Sequence, residues 1–396
     1  MPPTSDSCDI LVIGAGPAGL MAAQRAAEAG ATVIVAEKMP TIGRKFLMAG
    51  KSGLNLTNAR PTRPILENYQ GGPRINAVID QFPPSDICAW ANGFGADVFT
   101  GSSGHVFPKA MKASPLLRAW RAHLITLGVD LRVRTQWRGW QGRDAVFDTG
   151  VIAVKAIVLA LGGASWRKLG SDGAWADQIA APVVSFGPMN SGILVRWSEH
   201  MTPQFGQPLK DVSLTCSHRQ TRGECVITRR GLEGGCVYPV TDMIAQGRPL
   251  KLNLMPHLSA EALIPRIERA LAKKLSIGNL LKSLGLSPAK RAVYFEHADR
   301  TTRSAAQIAA SIRGLAVPYD GLPPLDEAIS TSGGVSWGGI QPDLCLKARP
   351  DVFVAGEMID WSAPTGGYLL TGCLASGHVA GQNAARFIAG LSSPDA

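Results

Sequence analysis

The first forty residues alternate apolar strands with a small-residue helical stretch, which is the pattern of a β–α–β unit. The run 9–14 is rich in branched apolar side chains and predicts a buried strand. A helical pattern follows over 20–29 and stops at Gly30, and a second branched strand occupies 31–37. The chain therefore begins with the unit from which dinucleotide-binding sheets are built.

A G-x-G-x-x-G motif joins the first strand to the helix. Gly14 permits a tight turn, Gly16 removes the Cβ where a pyrophosphate would approach, and Gly19 lets the helix pack against the strand. The N–H groups at the helix N-terminus attract phosphate. Glu37, which closes the second strand, is placed to accept hydrogen bonds from a ribose diol and to repel a 2′-phosphate. These features favour FAD or NAD over NADP.

The segment 38–58 is loaded with glycine, cations and short polar side chains, and we expect it to be a loop. A flavin needs a longer cradle past the pyrophosphate than NAD does, and such a loop would supply it. Arg44 and Lys45 are either ordinary solvated cations or phosphate contacts. Their place just after the ribose acid favours phosphate contact.

Two later segments also favour a flavin. An apolar strand over 154–161 ends at Gly162 and Gly163, which suits the cofactor crevice of an open α/β sheet. The strand predicted over 351–360 closes on acids and precedes a predicted helix over 369–389. In a flavoprotein the N-terminus of that helix would point at the N1–C2=O edge, where negative charge collects on reduction.

Several short motifs, taken together, are specific. They are Glu37-Lys38, Gly43-Arg44-Lys45, Asn55-x-Thr57-Asn58, Gly162-Gly163, Ser332-Gly333-Gly334-Val335, Ala355-Gly356-Glu357 and Thr365-Gly366-Gly367-Tyr368. Over residues 8–388 the chain resembles the YhiN/BaiN-like family of bacterial FAD-binding flavoproteins. The resemblance implies non-covalent FAD, a two-dinucleotide-binding-domain architecture and an inserted region. Some members resemble aminoacetone oxidases and others resemble reductases of unsaturated steroid intermediates.

Three segments depart from the common family pattern. Residues 49–55 have the sequence A-G-K-S-G-L-N where many members have S-G-G-G-R-C-N. Leu369 stands where asparagine is usual, and 227–235 differ from the usual F-T-H-x-G-x-S-G-P. These positions are where a substrate would face the flavin. The resemblance therefore predicts FAD binding without indicating a particular substrate.

We predict an α/β protein with a Rossmann-like FAD/NAD(P)-binding domain formed by 1–189 and 329–396. Short alternating strands indicate a β-rich, barrel-like insert of 190–254 and 316–328. Helical spacing indicates a small helical insert of 255–315, whose cations we interpret as a solvated face. The predicted cofactor-binding residues are Gly14, Gly16, Ala18, Gly19, Glu37, Lys38, Gly43, Arg44, Lys45, Gly53, Asn55, Gly162, Gly163, Gly356, Glu357, Gly366, Gly367, Tyr368 and Leu369.

The candidate catalytic residues are His105, Lys51 and Arg229. An imidazole titrates near neutrality, so His105 is a candidate for proton transfer, its alternative being an exposed loop histidine. Arg229, with Arg230, is either a clamp for a substrate carboxylate or part of a surface turn. Tyr368 is expected to pack on the cofactor. No metal site is expected, because the histidines show no ligand spacing.

Composition narrows the function classes. The 396 residues are 45% hydrophobic and 18% charged, which is typical of a multidomain globular protein. No apolar run of membrane-spanning length exists, and the first residues do not resemble a secretory signal. The seven cysteines are scattered, so we expect reduced thiols and a cytoplasmic location. The net charge of +10 is also scattered, which favours an anionic cofactor or substrate over nucleic acid.

These features predict an FAD-dependent oxidoreductase that exchanges hydride between a small-molecule substrate and flavin N5. Only one dinucleotide fingerprint is present, so we expect no dedicated NAD(P)H domain. NAD(P)H would dock transiently, or oxygen would reoxidise the flavin. The alternatives are a flavin-binding sensor or interaction module without turnover, and an NAD-only dehydrogenase.

Overall fold

The computed structural model describes residues 6–51, 53–60, 66–102, 104–299, 301 and 304–391. Contacts divide the chain into two units, unit 1 (Met1–Gly187 with Ser330–Ala396) and unit 2 (Pro188–Ile329). Within the described ranges, no helix has both the length and the apolar character that crossing a bilayer requires.

The described strands, in chain order, are β1 (Asp6–Ile13), β2 (Val33–Glu37), β3 (Thr57–Asn58), β4 (Val98–Thr100), β5 (His105–Pro108), β6 (Asp130–Val133), β7 (Trp137–Gln141), β8 (Asp144–Phe147), β9 (Gly150–Leu159), β10 (Val183–Met189), β11 (Ile193–Leu194), β12 (Pro208–Cys216), β13 (Arg219–Thr228), β14 (Gly231–Glu233), β15 (Leu250–Asn253), β16 (Leu315–Ala316), β17 (Ser330–Val335), β18 (Cys345–Leu346) and β19 (Arg349–Val354).

The described α-helices, in chain order, are α1 (Pro17–Glu28), α2 (Arg44–Ala49), α3 (Gly72–Asp80), α4 (Pro84–Gly93), α5 (Ala113–Thr126), α6 (Thr241–Ala245), α7 (Ala260–Ala272), α8 (Ile277–Ser283), α9 (Pro288–His297), α10 (Ala305–Arg313) and α11 (Tyr368–Leu391).

Unit 1 is built on an eight-stranded sheet with the main order β18-β19-β9-β1-β2-β6, extended from β9 by β8 and β7. Strands β19, β9, β1, β2 and β6 are parallel. Branched apolar side chains fill both faces of β1, whose residues Ile10, Leu11 and Val12 are fully buried. The predicted β–α–β opening and the Rossmann-like fold are confirmed.

Unit 2 combines an antiparallel sheet with four consecutive helices. The sheet has the order β11-β14-β13-β12-β15-β16. The helices α7 to α10 confirm the helical spacing seen in the sequence. Serine hydroxyls cap their N-termini: Ser259 Oγ accepts from the N–H of Ala262, and Ser304 forms a capping box with Gln307.

Two predictions of local structure are wrong. The segment 38–58 is not entirely a loop, because α2 lies within it. Gly43 adopts a left-handed conformation with φ 63°, and the strong helix formers that follow it wind into a short helix. The strand predicted over 351–360 ends at Val354, because Gly356 turns the chain with φ 81° into a 3₁₀ turn.

The histidine on α11 is expected to make stability depend on pH. His378 stacks on Phe82 with 4.5 Å between ring centroids, and burial, with nearby Arg25, lowers its pKa to about 4. The unfolded chain binds this proton as the pH falls below about 6.5, whereas the folded chain resists it. We expect the free energy of unfolding to fall by roughly 2 kcal/mol between pH 7 and pH 4, after solvent screening is allowed for.

Urea titrations across this pH range check the expectation. His378→Gln should flatten this part of the pH dependence, whereas His200→Gln, which removes an exposed imidazole, should leave it in place. An equally steep loss in His378→Gln would contradict the assignment.

Candidate active site

The carboxyl ends of neighbouring parallel strands gather the predicted glycine segments at one edge of the sheet in unit 1. In the strand register, Ile13 lies beside Leu159, and Leu159 lies beside Val354. Each of the three glycine segments begins just past one of these strand ends. Ligands of open α/β sheets bind outside the carboxyl ends of the strands. The fold thus places a crevice where the sequence predicted the cofactor.

The three fingerprint glycines have three different environments. A Cβ on Gly14 would lie 2.3 Å from Ala160 O, and one on Gly19 would lie 1.9 Å from Gly14 O. A Cβ on Gly16 would meet nothing within 4 Å. Gly14 and Gly19 therefore allow close packing, while Gly16 opens onto free space before the N-terminus of α1. This space fits a pyrophosphate against the helix N–H groups.

Glu37 is held in place by backbone hydrogen bonds. Its Oε2 accepts from Ala15 N–H at 2.9 Å, and its Oε1 accepts from Met39 N–H at 2.8 Å. Burial raises the pKa of this carboxyl. A carboxylate offers about four acceptor sites, so two remain for a ribose diol. The ribose contact stays a prediction, and the hydrogen bonds give the carboxylate a single orientation for it.

Two of the predicted cofactor lysines are engaged in ion pairs. Lys38 Nζ lies 2.8 Å from Asp172, and Lys45 Nζ lies 2.9 Å from Glu357. Glu357 also accepts from Thr331 N–H at 3.1 Å. Burial opposes the charge on Asp172, but the hydrogen bonds from Lys38 and from the N–H of Ala174, together with the positive charge of Lys38, outweigh it and lower the pKa of that carboxyl. These pairs join segments that are far apart in the chain, separated by 134 positions for Lys38 and Asp172 and by 312 for Lys45 and Glu357.

Close approaches of backbone bring the later glycine segments to the same place. A Cβ on Gly163 would lie 2.1 Å from Thr331 Oγ1, and one on Gly356 would lie 2.8 Å from the Cβ of Ala18. Gly356 N–H donates to Ser376 Oγ at 2.8 Å. Gly356 is therefore clamped between the start of α1 and the side of α11. Gly162 likewise leaves no room for a side chain beside Ser171.

The start of α11 meets the histidine that the sequence singled out. A Cβ on Gly366 would lie 2.9 Å from His105 Nε2, and one on Gly367 would lie 2.7 Å from Thr57 Cα. Tyr368 is buried at the first turn of the helix, and Leu369 beside it is half-buried. The structure thus brings His105, the two glycines and the N-terminus of a 24-residue helix together.

Burial and a nearby positive charge keep the imidazole of His105 neutral. Burial, aided by the positive charge of Arg60, lowers the pKa of His105. Burial raises the pKa of Tyr368, and Arg60 opposes that rise. At neutral pH His105 therefore has one nitrogen free to accept a proton and one carrying a hydrogen. A lone exposed arginine just after the Asn55-x-Thr57-Asn58 motif gave no sequence signal, so Arg60 was missed.

The loop after α2 carries further predicted residues. Gly53 has φ 131°, and a Cβ there would lie 2.9 Å from Met111 Cε. Asn55 Oδ1 is buried without a hydrogen-bond partner among the described residues. An orphaned buried acceptor is the kind of group that a bound ligand satisfies. Ser52, between Lys51 and Gly53, lies outside the described residues.

Arg229, by contrast, lies in unit 2, between β13 and β14. Its guanidinium stacks over the Phe205 ring at 5.5 Å from the ring centroid. The neighbouring Arg230 forms an ion pair with Glu327 at 2.7 Å. Both arginines thus have partners within unit 2. A catalytic role for Arg229 stays a prediction.

A match to a family model decides the identity of the fold. Residues 8–383 match the model described as the HI0933-like protein Rossmann domain. The chain belongs to the HI0933-like family. The resemblance to YhiN/BaiN-like flavoproteins is thereby confirmed, and the protein is an FAD-dependent oxidoreductase whose cofactor is FAD.

One curated relative and two solved structures are similar over most of the chain. The ribosomal RNA dihydrouridine synthase of Haemophilus influenzae is 24% identical over 295 residues, covering 67% of this chain and 69% of the relative. A flavocytochrome c3 fumarate reductase is 19% identical and superposes with a TM-score of 0.52. The match covers 97% of this chain and 79% of the reductase chain. The 3-ketosteroid Δ1-dehydrogenase of Sterolibacterium denitrificans is 12% identical with a TM-score of 0.52, covering 98% and 100%. At these identities the two structures show a shared fold.

The residues present fit an FAD molecule. The open side of Gly16 admits a pyrophosphate, Glu37 presents a carboxylate at the end of β2, and Asn55 offers an unsatisfied acceptor. Residues that sequence patterns did not reveal complete the crevice. They are Asp172, Thr331 and Ser376, each paired with a glycine or lysine segment distant in the chain.

Proposed function

We propose that this protein exchanges hydride between a small-molecule substrate and its FAD, with His105 as the group that moves the accompanying proton. The observation that carries the proposal is the position of His105 Nε2, beside Gly366 at the start of α11. The residues around His105 Nε2 and Gly366 are those that we expect to face a flavin. A neutral imidazole there is suited to giving or taking a proton near pH 7.

FAD, when bound, supplies the two-electron chemistry at N5. Around it, Gly16 would leave room for the pyrophosphate, and Glu37 would hold the ribose. The uncompensated N–H groups at the start of α11 would stabilise negative charge on the flavin edge that faces them, because no acid lies in the first turn of that helix. Burial, aided by Arg60, would keep His105 neutral, and Arg60 would attract an anionic or carbonyl-bearing substrate.

The test of this proposal is His105→Gln. We expect the turnover of aminoacetone, or of an unsaturated ketone by reduced enzyme, to fall by about 100-fold or more, since proton transfer typically contributes that much. KM and FAD content should stay within about twofold, and the pH profile of kcat should lose the limb that reflects the imidazole. Stopped-flow absorbance of the flavin measures each step.

The matched control is His218→Gln, which removes an exposed histidine of unit 2. It should retain wild-type turnover. If His105→Gln turns over as fast as the wild type with either substrate, His105 does not move the proton.

A second candidate function is the reduction of a uracil ring in RNA. The relative from Haemophilus influenzae carries the name of a ribosomal RNA dihydrouridine synthase. Incubation of the reduced holoenzyme with ribosomal RNA, followed by nucleoside mass spectrometry, tests it. A gain of two hydrogen atoms on uridine in the RNA, and none on free uridine, would favour this function over small-molecule turnover.

We also propose that the enzyme works in the cytoplasm, where thiols stay reduced. All seven cysteines are free, and four of them are buried. In the cytoplasm, NADH and NADPH would be available to this enzyme as electron donors.

A further inference from the structure

A cleft of about 410 Å³ lies in unit 1 between α2 and the N-terminus of α5. Its volume is in the range of small-ligand sites. Its lining includes the cations Arg44, Lys51 and Lys112 and the apolar side chains of Leu47, Met48 and Leu169. Three of these lining residues are cations, and none is a carboxylate. The cleft is therefore electropositive.

Within the described part of the chain no salt bridge joins these cations to a carboxylate, although Arg44 lies near enough to Glu37 for its charge to oppose the rise in the pKa of that carboxyl. Lys112 Nζ donates to the backbone oxygen of Lys51 at 3.4 Å, which brings the two lysines together. Arg44 donates to Thr41 Oγ1 at 3.2 Å, and its Nε is buried without a partner. Three like charges at one cleft repel each other, and a bound anion would relieve both the repulsion and the unpaired donor.

The N-terminus of α5 adds to the positive potential. Lys112 is the N-cap residue, with no side-chain cap, and the first turn contains no acid. A Cβ on Gly50 would lie 2.8 Å from Ala113 N, so the end of α2 packs directly against the first N–H of this 14-residue helix. Uncapped N–H groups and the helix dipole favour an anion at this place.

Apolar side chains form another part of the cleft lining. Leu47 and Met48 are 38% and 36% exposed, although each is large and hydrophobic, and Leu169 lies with them. An anionic group beside an apolar wall fits a nucleotide, whose phosphate would meet the cations and whose base would cover the exposed side chains.

We propose that this cleft binds the phosphorylated adenosine of NADPH. The inference rests on the proposed function, which needs an electron donor, and on the single dinucleotide fingerprint, which leaves NADPH without a domain of its own. The absence of a carboxylate in the lining removes the group that would repel a 2′-phosphate. NADPH would lose a hydride to the FAD, water would supply a proton, and NADP⁺ would leave.

The position of the cleft is compatible with delivery to the flavin. Lys51, which lines it, is two residues from Gly53 and four from Asn55, two of the predicted cofactor contacts. The cleft is a single pocket that is open to solvent, and its volume suits one nucleotide better than the extended backbone of an RNA, which needs a charged track. The geometry therefore points to a dinucleotide.

Calorimetric titration of the oxidised holoenzyme with NADP⁺ and NAD⁺ tests the proposal without turnover. We expect NADP⁺ to bind at least about tenfold more tightly than NAD⁺, and Lys112→Glu to weaken NADP⁺ by a further tenfold or more. Arg118→Glu is the matched control, since it makes the same charge change on the exposed side of α5 and should leave the Kd within about twofold. Circular dichroism and FAD content verify that Lys112→Glu is folded, and Lys112→Ala replaces it if it is not.

Several outcomes would overturn the inference. One is NADP⁺ that does not bind, or that binds Lys112→Glu and Lys112→Ala as tightly as the wild type. Another is NADP⁺ that binds only after FAD is removed, because the cleft would then belong to FAD. Binding of an oligoribonucleotide that depends on Lys112, with no binding of NADP⁺, would assign the cleft to RNA. If NADP⁺ binds in a Lys112-dependent way but the enzyme turns over no substrate, the proposed function is wrong and the assignment of the cleft still holds.

Discussion

Replacement of Gly16 by valine is expected to raise the Kd for FAD by at least about 100-fold, equivalent to about 2.7 kcal/mol, while the apoprotein stays folded. The expectation follows from the empty space beside Gly16. A Cβ there meets no protein atom within 4 Å, and the backbone has φ −80°, which any residue adopts. The valine side chain would therefore fit the folded protein and occupy the volume that the pyrophosphate needs.

Gly19→Val is the contrasting variant. A Cβ at this position would lie 1.9 Å from Gly14 O, so the side chain would force α1 away from β1 and lower stability. Flavin absorbance per mole of protein measures FAD retention, and urea titration of each apoprotein measures stability. A Gly16→Val protein that keeps its yellow colour through dialysis would contradict the placement of the pyrophosphate.

Local patterns in the sequence predicted those parts of the fold that local forces determine. Branched apolar runs predicted β1, β2 and β9, and helical spacing predicted the helical insert that contains α7 to α10. The short helix α2 was missed because glycines and lysines on both sides of it resemble a loop. Its formation depends on the left-handed turn at Gly43, which no residue pattern distinguishes from an ordinary loop glycine.

Contacts between segments that are far apart in the chain could not be predicted from the sequence. Lys45 and Glu357 are 312 positions apart, and nothing in either motif indicates that they pair. Gly163 and Thr331 approach each other only because the segment after β9 lies beside the start of β17. The candidate site could therefore be predicted as a set of glycine segments and one histidine. The orientation of these groups, and the role of Arg60 beside His105, follow only from the three-dimensional structure.

Replacement of Gly377 by valine is expected to destabilise unit 1 by roughly 3 kcal/mol or more. Gly377 and Gly381 lie one turn apart on α11, where a Cβ would come within 2.2 Å of Ala18 O and 2.3 Å of Ala22 O. Glycines at these positions let α11 lie directly on the backbone of α1. A valine would have to push the two helices apart, because the atoms that it meets are backbone oxygens that cannot turn aside.

The same substitution should also weaken FAD binding, because α11 reaches the cofactor crevice through the neighbouring residue. Ser376 Oγ accepts the N–H of Gly356, so a displaced α11 would release that turn from the start of α1. The matched control is Gly390→Val, near the end of the same helix, where a Cβ would meet nothing within 4 Å and stability should change by less than about 1 kcal/mol. Urea titration and FAD dissociation measured on both variants distinguish a tight helix contact from a general cost of valine in α11. Equal stability of the two variants would show that α1 and α11 are not in backbone contact, and the clamp on Gly356 would lose its support.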